Sequence, residues 1–357
     1  MPSIARCRKA LRGRTTVFGR SKRILALDIG SSEIKALEVA DSGGGISIHN
    51  YACTKIGNQN ETIYAIKEII RRSNFKTKRS VTSVSGRSVI VRYVTMAQMP
   101  EQDLRHAIRF EADKYIPFEV DEVQMDTQIL EDQVGDGSQP EMKVLLVAVR
   151  KNLIEEHLHL LQEAGLQSAI IDVDAFALGN AFELRARQSG GLSPEKVVAL
   201  IDIGANKTNI NILKGSISYF TREVYLAGND FTEAVSRKFN LDTQEAERLK
   251  CRPDDQAGEV EEAILPTLDD LGNEIQLSFD YFENQFDRVV EEVYISGGSA
   301  QLPGLQRAFE GAFEKSVVFW NPLETIEVKP GIDVKTLNQY AGQLAVAVGL
   351  ASRVRKW

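Results

Sequence analysis

Two stretches of the sequence share the residue types that bind phosphate groups. The run ILALDIGSSEIKALEV covers residues 24–39, and VALIDIGANKTNINIL covers residues 198–213. Each has an apolar run that ends in Asp-Ile-Gly, then a short polar turn and a second apolar run. Glycine-turn N–H groups, hydroxyls and an ammonium group can surround phosphate oxygens, and a carboxylate can support Mg²⁺. The repeat therefore predicts two phosphate-binding hairpins, each built from two strands.

Each hairpin supplies its own set of candidate residues. The first offers a glycine turn, two hydroxyls and a lysine that can project back, namely Gly30, Ser31, Ser32 and Lys35. The second mirrors this turn with Gly204, Ala205, Asn206, Lys207 and Thr208. Asp28 and Asp202 are the candidate carboxylates for Mg²⁺, through bound water. A simpler interpretation, that both aspartates only cap turns, stays open.

A third motif follows the two hairpins. VYISGGSAQLPGLQRAFEGAF covers residues 293–313 and is typical of a strand, a tight turn and a helix that begins near Pro303. Its turn consists of Gly297, Gly298 and Ser299. Glycines allow a ligand to approach the backbone closely, and a helix N-terminus favours negative charge. Alone, a strand, a glycine turn and a helix are weak evidence for a ligand site. The evidence is stronger here because the motif follows the two Asp-Ile-Gly hairpins.

Two further stretches place polar residues where they could meet a ligand. In IIDVDAFALGNAFE, residues 170–183, Asp174 stands where an apolar strand runs into a helix, a position that also suits a helix N-cap. In LDTQEAERLKCR, residues 241–252, Glu247 and Lys250 are three residues apart on one helical face. The pair could equally be an exposed ion pair on the helix surface.

The three motifs, in this order from about Ile24 to about Arg353, resemble the actin-like nucleotide-binding superfamily, which includes actin, the sugar kinases and the large heat-shock chaperones. The resemblance implies an α/β, ribonuclease H-like fold of two lobes with duplicated βββαβα cores. It implies ATP and Mg²⁺ in the cleft between the lobes. It also implies that Glu247 and Lys250 flank adenine and ribose, and that Asp174 positions the attacking water. Actin has a glutamine there and the chaperones a glutamate, so the shorter aspartate predicts slow hydrolysis at most.

Residues 96–168 do not fit the nucleotide-binding core. They predict a helix after Pro100 that stops at Pro117, then two strands, VQMDTQIL and KVLLVAV, on either side of the loop EDQVGDGSQPE. A second amphipathic helix, NLIEEHLHLLQEAG, ends at Gly165. The pattern indicates a small α+β subdomain inserted in the first lobe.

The motifs and the insertion together predict five regions. They are a basic leader, expected to be disordered, at 1–22; a first-lobe core at 23–95, 169–195 and 337–357; the insertion at 96–168; a second-lobe core at 196–230 and 289–336; and a mostly helical second-lobe subdomain at 231–288.

The insertion resembles that of the PilM and FtsA families. Residues 111–130, EADKYIPFEVDEVQMDTQIL, and 164–178, AGLQSAIIDVDAFAL, are similar to the PilM family of type IV pilus assembly in particular. The resemblance implies a cytoplasmic ATP-binding scaffold, held at the inner membrane by its partners. Its implied partner is the N-terminal cytoplasmic peptide of a PilN-like membrane protein, in a groove between the insertion and the first lobe. The apolar groove candidates are Phe110, Tyr115, Ile116 and Phe118, with core packing as the competing explanation for at least half of them.

Several alternatives remain open from the sequence. An FtsA-like protein would carry a C-terminal amphipathic helix, for which the final residues VRKW are too few, and a GspL-like protein would carry a transmembrane helix. A small-molecule kinase would need a substrate-binding insertion with a general base, for which the sequence offers no clear candidate. Self-association into filaments, an active ATPase, and contacts with other pilus platform or motor components depend on surfaces that the pattern does not specify.

Composition excludes some classes of protein. The 357 residues are 43% hydrophobic and 26% charged, which is typical of globular domains, and no apolar run is long enough for a membrane span. The net charge is −7 although residues 1–23 carry Lys and Arg without Asp or Glu. An acidic body argues against nucleic acid as a partner, while the leader could touch anionic lipid or be a solvated tail. Cys7, Cys53 and Cys251 fit reduced thiols in the cytoplasm.

Overall fold

The computed structural model describes residues 23–43, 45–57, 61–134, 140–188 and 190–356 of the chain. The predicted basic leader and the tip of the predicted loop, residues 135–139, lie outside these ranges.

The described residues form a regular succession of strands and helices. The strands are β1 (Arg23–Ile29), β2 (Glu33–Asp41), β3 (Ile46–Lys55), β4 (Arg79–Val84), β5 (Val89–Ala97), β6 (Val123–Val134), β7 (Glu141–Arg150), β8 (Gln167–Val173), β9 (Val197–Ile203), β10 (Thr208–Lys214), β11 (Ile217–Val224), β12 (Glu292–Ser296), β13 (Ser316–Phe319) and β14 (Glu327–Val328). The helices are α1 (Thr62–Ser73), α2 (Glu101–Glu111), α3 (Lys151–Glu163), α4 (Asp174–Gln188), α5 (Gly228–Phe239), α6 (Thr243–Cys251), α7 (Ala257–Phe286), α8 (Leu305–Phe313), α9 (Val334–Gln339) and α10 (Ala345–Ala351).

Two large sheets repeat one topology. The first-lobe sheet has the strand order β14-β3-β2-β1-β4-β8, and the second-lobe sheet has the order β11-β10-β9-β12-β13. In both, a three-stranded antiparallel meander is extended by parallel strands beside its first strand. The two predicted hairpins are therefore equivalent, with Asp28 opposite Lys35 and Asp202 opposite Asn209. The predicted two-lobed α/β fold with duplicated cores is confirmed.

A third sheet, of order β5-β7-β6, forms the inserted subdomain. Its apolar face packs against α2 through a core that includes Leu104, Ile108 and Leu146. Strand β5 pairs with β7 along its whole length, so this sheet begins before the predicted boundary at residue 96. Alternating apolar residues identify a strand there, but they do not say which sheet the strand joins.

Helix α3, which the sequence assigned to the insertion, packs on both the inserted sheet and the first-lobe core. Leu161 lies in one apolar cluster with Leu25 of β1 and Ile66 of α1. Ile154, near the start of α3, lies in another cluster with Leu145 of β7 and Ile171 of β8, so α3 bridges the inserted sheet and the first lobe. The amphipathic pattern indicated a buried face on α3 but could not name its partner.

Helices α4 and α10 pack between the two large sheets. Their cluster includes Ala26 of β1 and Leu200 of β9, so residues from both lobes share it. Below it, Asp172 Oδ2 accepts hydrogen bonds from Arg353 Nε at 2.7 Å and Nη2 at 2.5 Å, and both side chains are buried. A buried pair of this kind is costly to break from one side, because the remaining charge is left without a partner.

The second lobe is covered by α5, α6, α7 and α8, which enclose its own apolar core. No helix in the described part of the chain has both the length and the apolar character needed to cross a bilayer.

Replacing Gly349 by alanine should destabilise the protein strongly. A Cβ on Gly349 of α10 would lie 1.7 Å from the carbonyl oxygen of Ala177 on α4, so the two helices would have to separate. Overpacking of this kind costs about 3 kcal/mol. The free energy of unfolding from urea titration measures the effect. Gly311→Ala is the matched control, because no atom lies within 4 Å of its new Cβ. Equal stability of both variants would contradict the close packing of α4 on α10.

Candidate functional site

The two Asp-Ile-Gly turns have the same geometry. Gly30 N donates to the carbonyl oxygen of Glu33 at 3.1 Å, and Gly204 N donates to that of Lys207 at 3.0 Å. A Cβ would lie 2.8 Å from the carbonyl oxygen of Glu33 at Gly30 and 2.9 Å from that of Lys207 at Gly204. Both turns therefore require glycine because of this close approach. Ser31 and Ser32 are exposed in the first turn, and Asn206 is exposed in the second.

The Gly-Gly-Ser motif packs directly on the second turn. Ser299 N donates to Ile203 O, and Ser299 Oγ donates to Gly204 O, each at 3.1 Å. Gly297 has a φ of +98°, and a Cβ there would lie 2.3 Å from Ile203 O. The second and third sequence motifs thus form one continuous wall.

Lys35 interacts with the aspartates of both hairpins. Its Nζ is 3.1 Å from Asp28 Oδ2, and the charge of Asp202 also acts on it. Burial alone would lower the pKa of Lys35, but Asp28 and Asp202 raise it above its ordinary value. Burial raises the pKa of Asp28 in spite of the lysine. The structure thus brings Asp28, Lys35 and Asp202 together across the cleft between the lobes.

Asp202 is the less compensated of the two aspartates. It accepts a hydrogen bond from Ser296 Oγ at 3.0 Å. Burial raises the pKa of Asp202 to about 6, although the charge of Lys35 opposes this. Its carboxylate therefore carries a negative charge near neutral pH, and among the described residues it forms no salt bridge, since Lys35 pairs with Asp28.

Asp202 belongs to a polar row across four strands. Ser296, Asp202, Asn209 and Glu223 are direct neighbours on β12, β9, β10 and β11. Side chains opposite each other on neighbouring strands point to the same face. Asn209 is 3% exposed, and its Oδ1 has no hydrogen-bond partner among the described residues. The row therefore presents acceptor oxygens towards the first lobe.

The sequence analysis did not select Asn209, Glu223 or Ser296 as site residues. Alternation within the second hairpin does place Asn209 on the face of Asp202. Ser296 comes from a strand whose register is set by tertiary pairing, so no local signal identifies it. Glu223 reaches the row through the β10–β11 hairpin, in which a bulge at Ile212 and Leu213 shifts the register.

Lys207 joins the two lobes electrostatically. Its Nζ lies 2.9 Å from Asp174 Oδ2 and 3.1 Å from Glu223 Oε1. Burial would lower the pKa of Lys207, but both carboxylates raise it. Burial would likewise raise the pKa of Asp174, but Lys207 and hydrogen bonds from Ser83 and Ser85 lower it. Asp174 is thus an ionised, paired carboxylate in the part of the chain that the structure describes.

Two predicted binding residues are used to support the fold. Lys250 is 3% exposed, and its Nζ donates to Gly228 O at 2.9 Å and to Thr232 Oγ1 at 2.7 Å. It also lies 2.6 Å from Glu247 Oε2, so the pair is formed but is not a surface ion pair. Thr208 is fully buried and donates to Leu226 O at 2.8 Å. Lys250 fixes the start of α5, and Thr208 fixes the end of β11.

The apolar groove candidates lie in the inserted subdomain and differ in exposure. Phe110 on α2 is 87% exposed, whereas Ile116 is 5% exposed within the insertion core. Tyr115 and Phe118 are half-buried against the same core, and the Arg150 guanidinium lies 4.2 Å from the Phe118 ring centroid. Of the four, only Phe110 presents most of its surface.

Any Mg²⁺ held here would take most of its ligands from water and phosphate oxygens. Within the described ranges, no group of three or more His, Cys, Asp and Glu side chains is arranged to hold a metal ion directly. The buried acceptor Oδ1 of Asn209 beside Asp202 fits a hydrated cation, which needs hydrogen-bond acceptors for its water ligands.

Asp202→Asn should stabilise the protein near neutral pH. Because the folded pKa of about 6 lies above the unfolded value of about 3.9, the folded protein binds this proton more tightly than the unfolded chain does. The parent therefore loses stability as the pH rises from about 4 through 6, by about 3 kcal/mol, and the variant does not. Unfolding midpoints of both proteins between pH 4 and 8 measure this.

The control for this comparison is Asp269→Asn, at an exposed position on α7. It should follow the parent at every pH. A stability difference between parent and Asp202→Asn that does not change with pH would contradict the raised pKa of Asp202.

Comparison with known proteins identifies the family. Residues 26–355 match the family model described as type IV pilus assembly protein PilM. The chain is similar to a chain of the solved PilM-PilN type IV pilus biogenesis complex, with 30% identity, a TM-score of 0.81, and coverage of 93% of this chain and 98% of that one.

Two more distant likenesses extend the comparison. The cell division protein FtsA of Bacillus subtilis (strain 168) is 21% identical, over 84% of this chain and 78% of the relative. MreB 5 of Spiroplasma citri, solved with AMPPNP, is 12% identical with a TM-score of 0.50, over 95% and 97% of the two chains, and shares the fold alone. The match of the family model over nearly the whole chain, together with the duplicated lobes, confirms the actin-like fold and the resemblance found in the sequence. The chain belongs to the PilM family of type IV pilus assembly proteins.

Proposed function

We propose that this protein is an ATP-binding scaffold of the type IV pilus assembly platform, and that it binds the N-terminal cytoplasmic peptide of a PilN-like membrane protein. The single observation that carries the proposal is the match to the PilM family over residues 26–355. The solved relative is a complex of PilM with PilN, which supports a partner of that kind. Attachment through this partner would hold the protein at the inner membrane.

The residues between the lobes fit a nucleoside triphosphate. Gly30 and Gly204 supply tight turns, and the exposed Ser31 and Ser32 supply hydroxyls. Lys35, which faces Asp28 and Asp202, would bring its ammonium group to phosphate oxygens. Mg²⁺, when bound, neutralises phosphate charge, and the oxygens of the two aspartates and Asn209 would accept hydrogen bonds from its water ligands. The second wall would be completed by Asn206 and by the Gly297-Gly298-Ser299 turn.

Hydrolysis by this site would be slow. Asp174 stands where the superfamily positions the attacking water, but its carboxylate is paired with Lys207, and its pKa is lowered. A carboxylate with a low pKa is a weak general base, and its short side chain limits its reach. ATP would therefore mainly stabilise one arrangement of the lobes, which suits a scaffold better than a fast ATPase or kinase.

ATP binding should depend on both hairpin aspartates. Asp28→Ala and Asp202→Ala should each weaken binding of fluorescently labelled ATP in the presence of Mg²⁺ by about tenfold or more, because they remove acceptors for the hydrated cation. Asp269→Asn should bind as the parent does. Absence of ATP binding by the parent protein would overturn the nucleotide assignment, and unchanged binding by both alanine variants would overturn the assigned residues.

A cavity where the inserted sheet meets the first and the second lobe supports the proposed peptide site. It has a volume of about 410 Å³. The elements around it are β6, β7, α4, the turn between β10 and β11, and the last turn of the chain, Ser352–Lys356. Its lining combines apolar and polar side chains, which are Gln128, Leu130, Leu145, Asn180, Glu183, Leu184, Arg187, Ser216, Ile217, Ser218, Ser352 and Arg355. Strand β6 is at the edge of its sheet, so an extended peptide could add beside it.

The cavity and the exposed Phe110 offer separable tests of the peptide site. Leu130→Arg should weaken binding of the N-terminal peptide of a PilN-like protein by about tenfold or more, since it places a charged side chain among the apolar lining. Phe110→Ala removes the exposed candidate on α2 and should leave the affinity within about twofold. Fluorescence anisotropy of the labelled peptide measures both. The reverse pattern would move the peptide site to α2, and binding unaffected by both changes would place it elsewhere.

A further inference from the structure

We infer that Glu223 competes with a phosphate group of a bound nucleotide for Lys207, and that its release by a triphosphate loosens the base of the inserted sheet. The inference rests on the proposed ATP binding and assigns its regulation. We call the contacts between residues 85–87 of the first lobe and residues 223–225 of the second lobe the clasp.

Glu223 receives the type of bonding that a phosphate group receives. Both of its carboxylate oxygens accept from Gly86 N, at 3.1 and 2.9 Å, and Lys207 Nζ lies 3.1 Å from Oε1. A backbone N–H group and a lysine beside a glycine turn are typical donors to phosphate oxygens. Gly86 has a φ of +94°, a conformation that favours glycine.

An aromatic contact completes the clasp. The guanidinium of Arg87 lies 5.3 Å from the ring centroid of Tyr225, and Tyr225 Oη donates to Glu223 Oε2 at 3.4 Å. The first-lobe loop therefore contacts the second lobe in two ways. Gly86 N donates to the charged carboxylate of Glu223, and the Arg87 guanidinium stacks on the Tyr225 ring.

The clasp loop leads directly into the inserted sheet. Val89 N, at the start of β5, donates to Gly86 O at 2.9 Å, and Arg150 N, at the end of β7, donates to Ser88 O at 3.1 Å. Both chain connections between the first lobe and the inserted sheet are therefore tied to this loop. A shift of Gly86 relative to the second lobe would therefore displace the start of β5 and the end of β7 together.

Charge determines which ligand can open the clasp. Lys207 already faces two carboxylates, Asp174 and Glu223, and a third anion beside them would repel both. A ligand anion that binds Lys207 must displace Glu223 from it. Once it has left Lys207, the Glu223 carboxylate also gives up its hydrogen bond from Gly86 N. A nucleoside triphosphate carries one more phosphate group than a diphosphate and competes for Lys207 more strongly.

Glu223→Gln tests the inference, because it removes the charge and keeps the shape. The variant should bind ATP at least about fivefold more tightly than the parent, with ADP affinity changed by less than about twofold. Hydrogen–deuterium exchange of residues 86–91 should increase in the parent when ATP and Mg²⁺ are added. In the variant, exchange of the same residues should already be increased without nucleotide. Glu195→Gln, at a surface ion pair with Lys214 and Arg288, is the matched control and should behave as the parent does.

The outcomes separate the two levels of the proposal. If the parent binds ATP but Glu223→Gln changes neither the ratio of ATP to ADP affinity nor the exchange of residues 86–91, the clasp is wrong and the proposed function stands. If the parent binds no nucleotide, the proposed function and this inference both fail. Tighter ATP binding without any change in exchange would show competition at Lys207 but would overturn the link to the inserted sheet.

Discussion

The close approach of α10 to α4 is the constraint on which the two-lobed arrangement depends. Gly349 leaves the backbone of α4 within van der Waals distance, and small residues such as Ala177 and Ala345 line the same seam. Because this seam lies between the two large sheets, its thickness sets how far apart the two Asp-Ile-Gly turns lie. Lys35 can face Asp28 and Asp202 together only if that spacing is short. The packing of α10 on α4, which begins at Asp174, therefore determines the geometry of the polar residues.

The cleft contains more carboxylates than lysines. Two lysines, Lys35 and Lys207, serve four carboxylates, which are Asp28, Asp174, Asp202 and Glu223. Lys207 is shared by two of them and Lys35 pairs with Asp28, so Asp202 forms no salt bridge within the described residues. Such a site favours a ligand that arrives with a divalent cation, because a bare polyanion would add to the repulsion. The polar row with the unpartnered Asn209 oxygen is consistent with the same requirement.

Much of the fold and half of the site could be predicted from the sequence. The duplicated hairpins and the Gly-Gly-Ser turn are local patterns, because glycine turns and apolar alternation appear within a few residues. The membership of β5 in the inserted sheet and the packing of α3 on both the inserted sheet and the first lobe could not be predicted, since both depend on which distant surface an apolar face meets. Glu223 and Ser296 join the site through strand register, and Lys250 is buried by helix packing. Strand register and helix packing depend on how distant segments meet, so a short stretch of sequence does not predict them.

The position of α10 in the chain also bears on how the protein folds. Strands β1, β2 and β4 are made early, yet the helix that covers them with α4 is residues 345–351, and the arginine that neutralises the buried Asp172 is residue 353. Until those residues have left the ribosome, the first lobe exposes an apolar surface and a carboxylate without its partner. Domains usually fold in the order of their synthesis. Here the lobe that is translated first must be completed last, after the whole second lobe has been made.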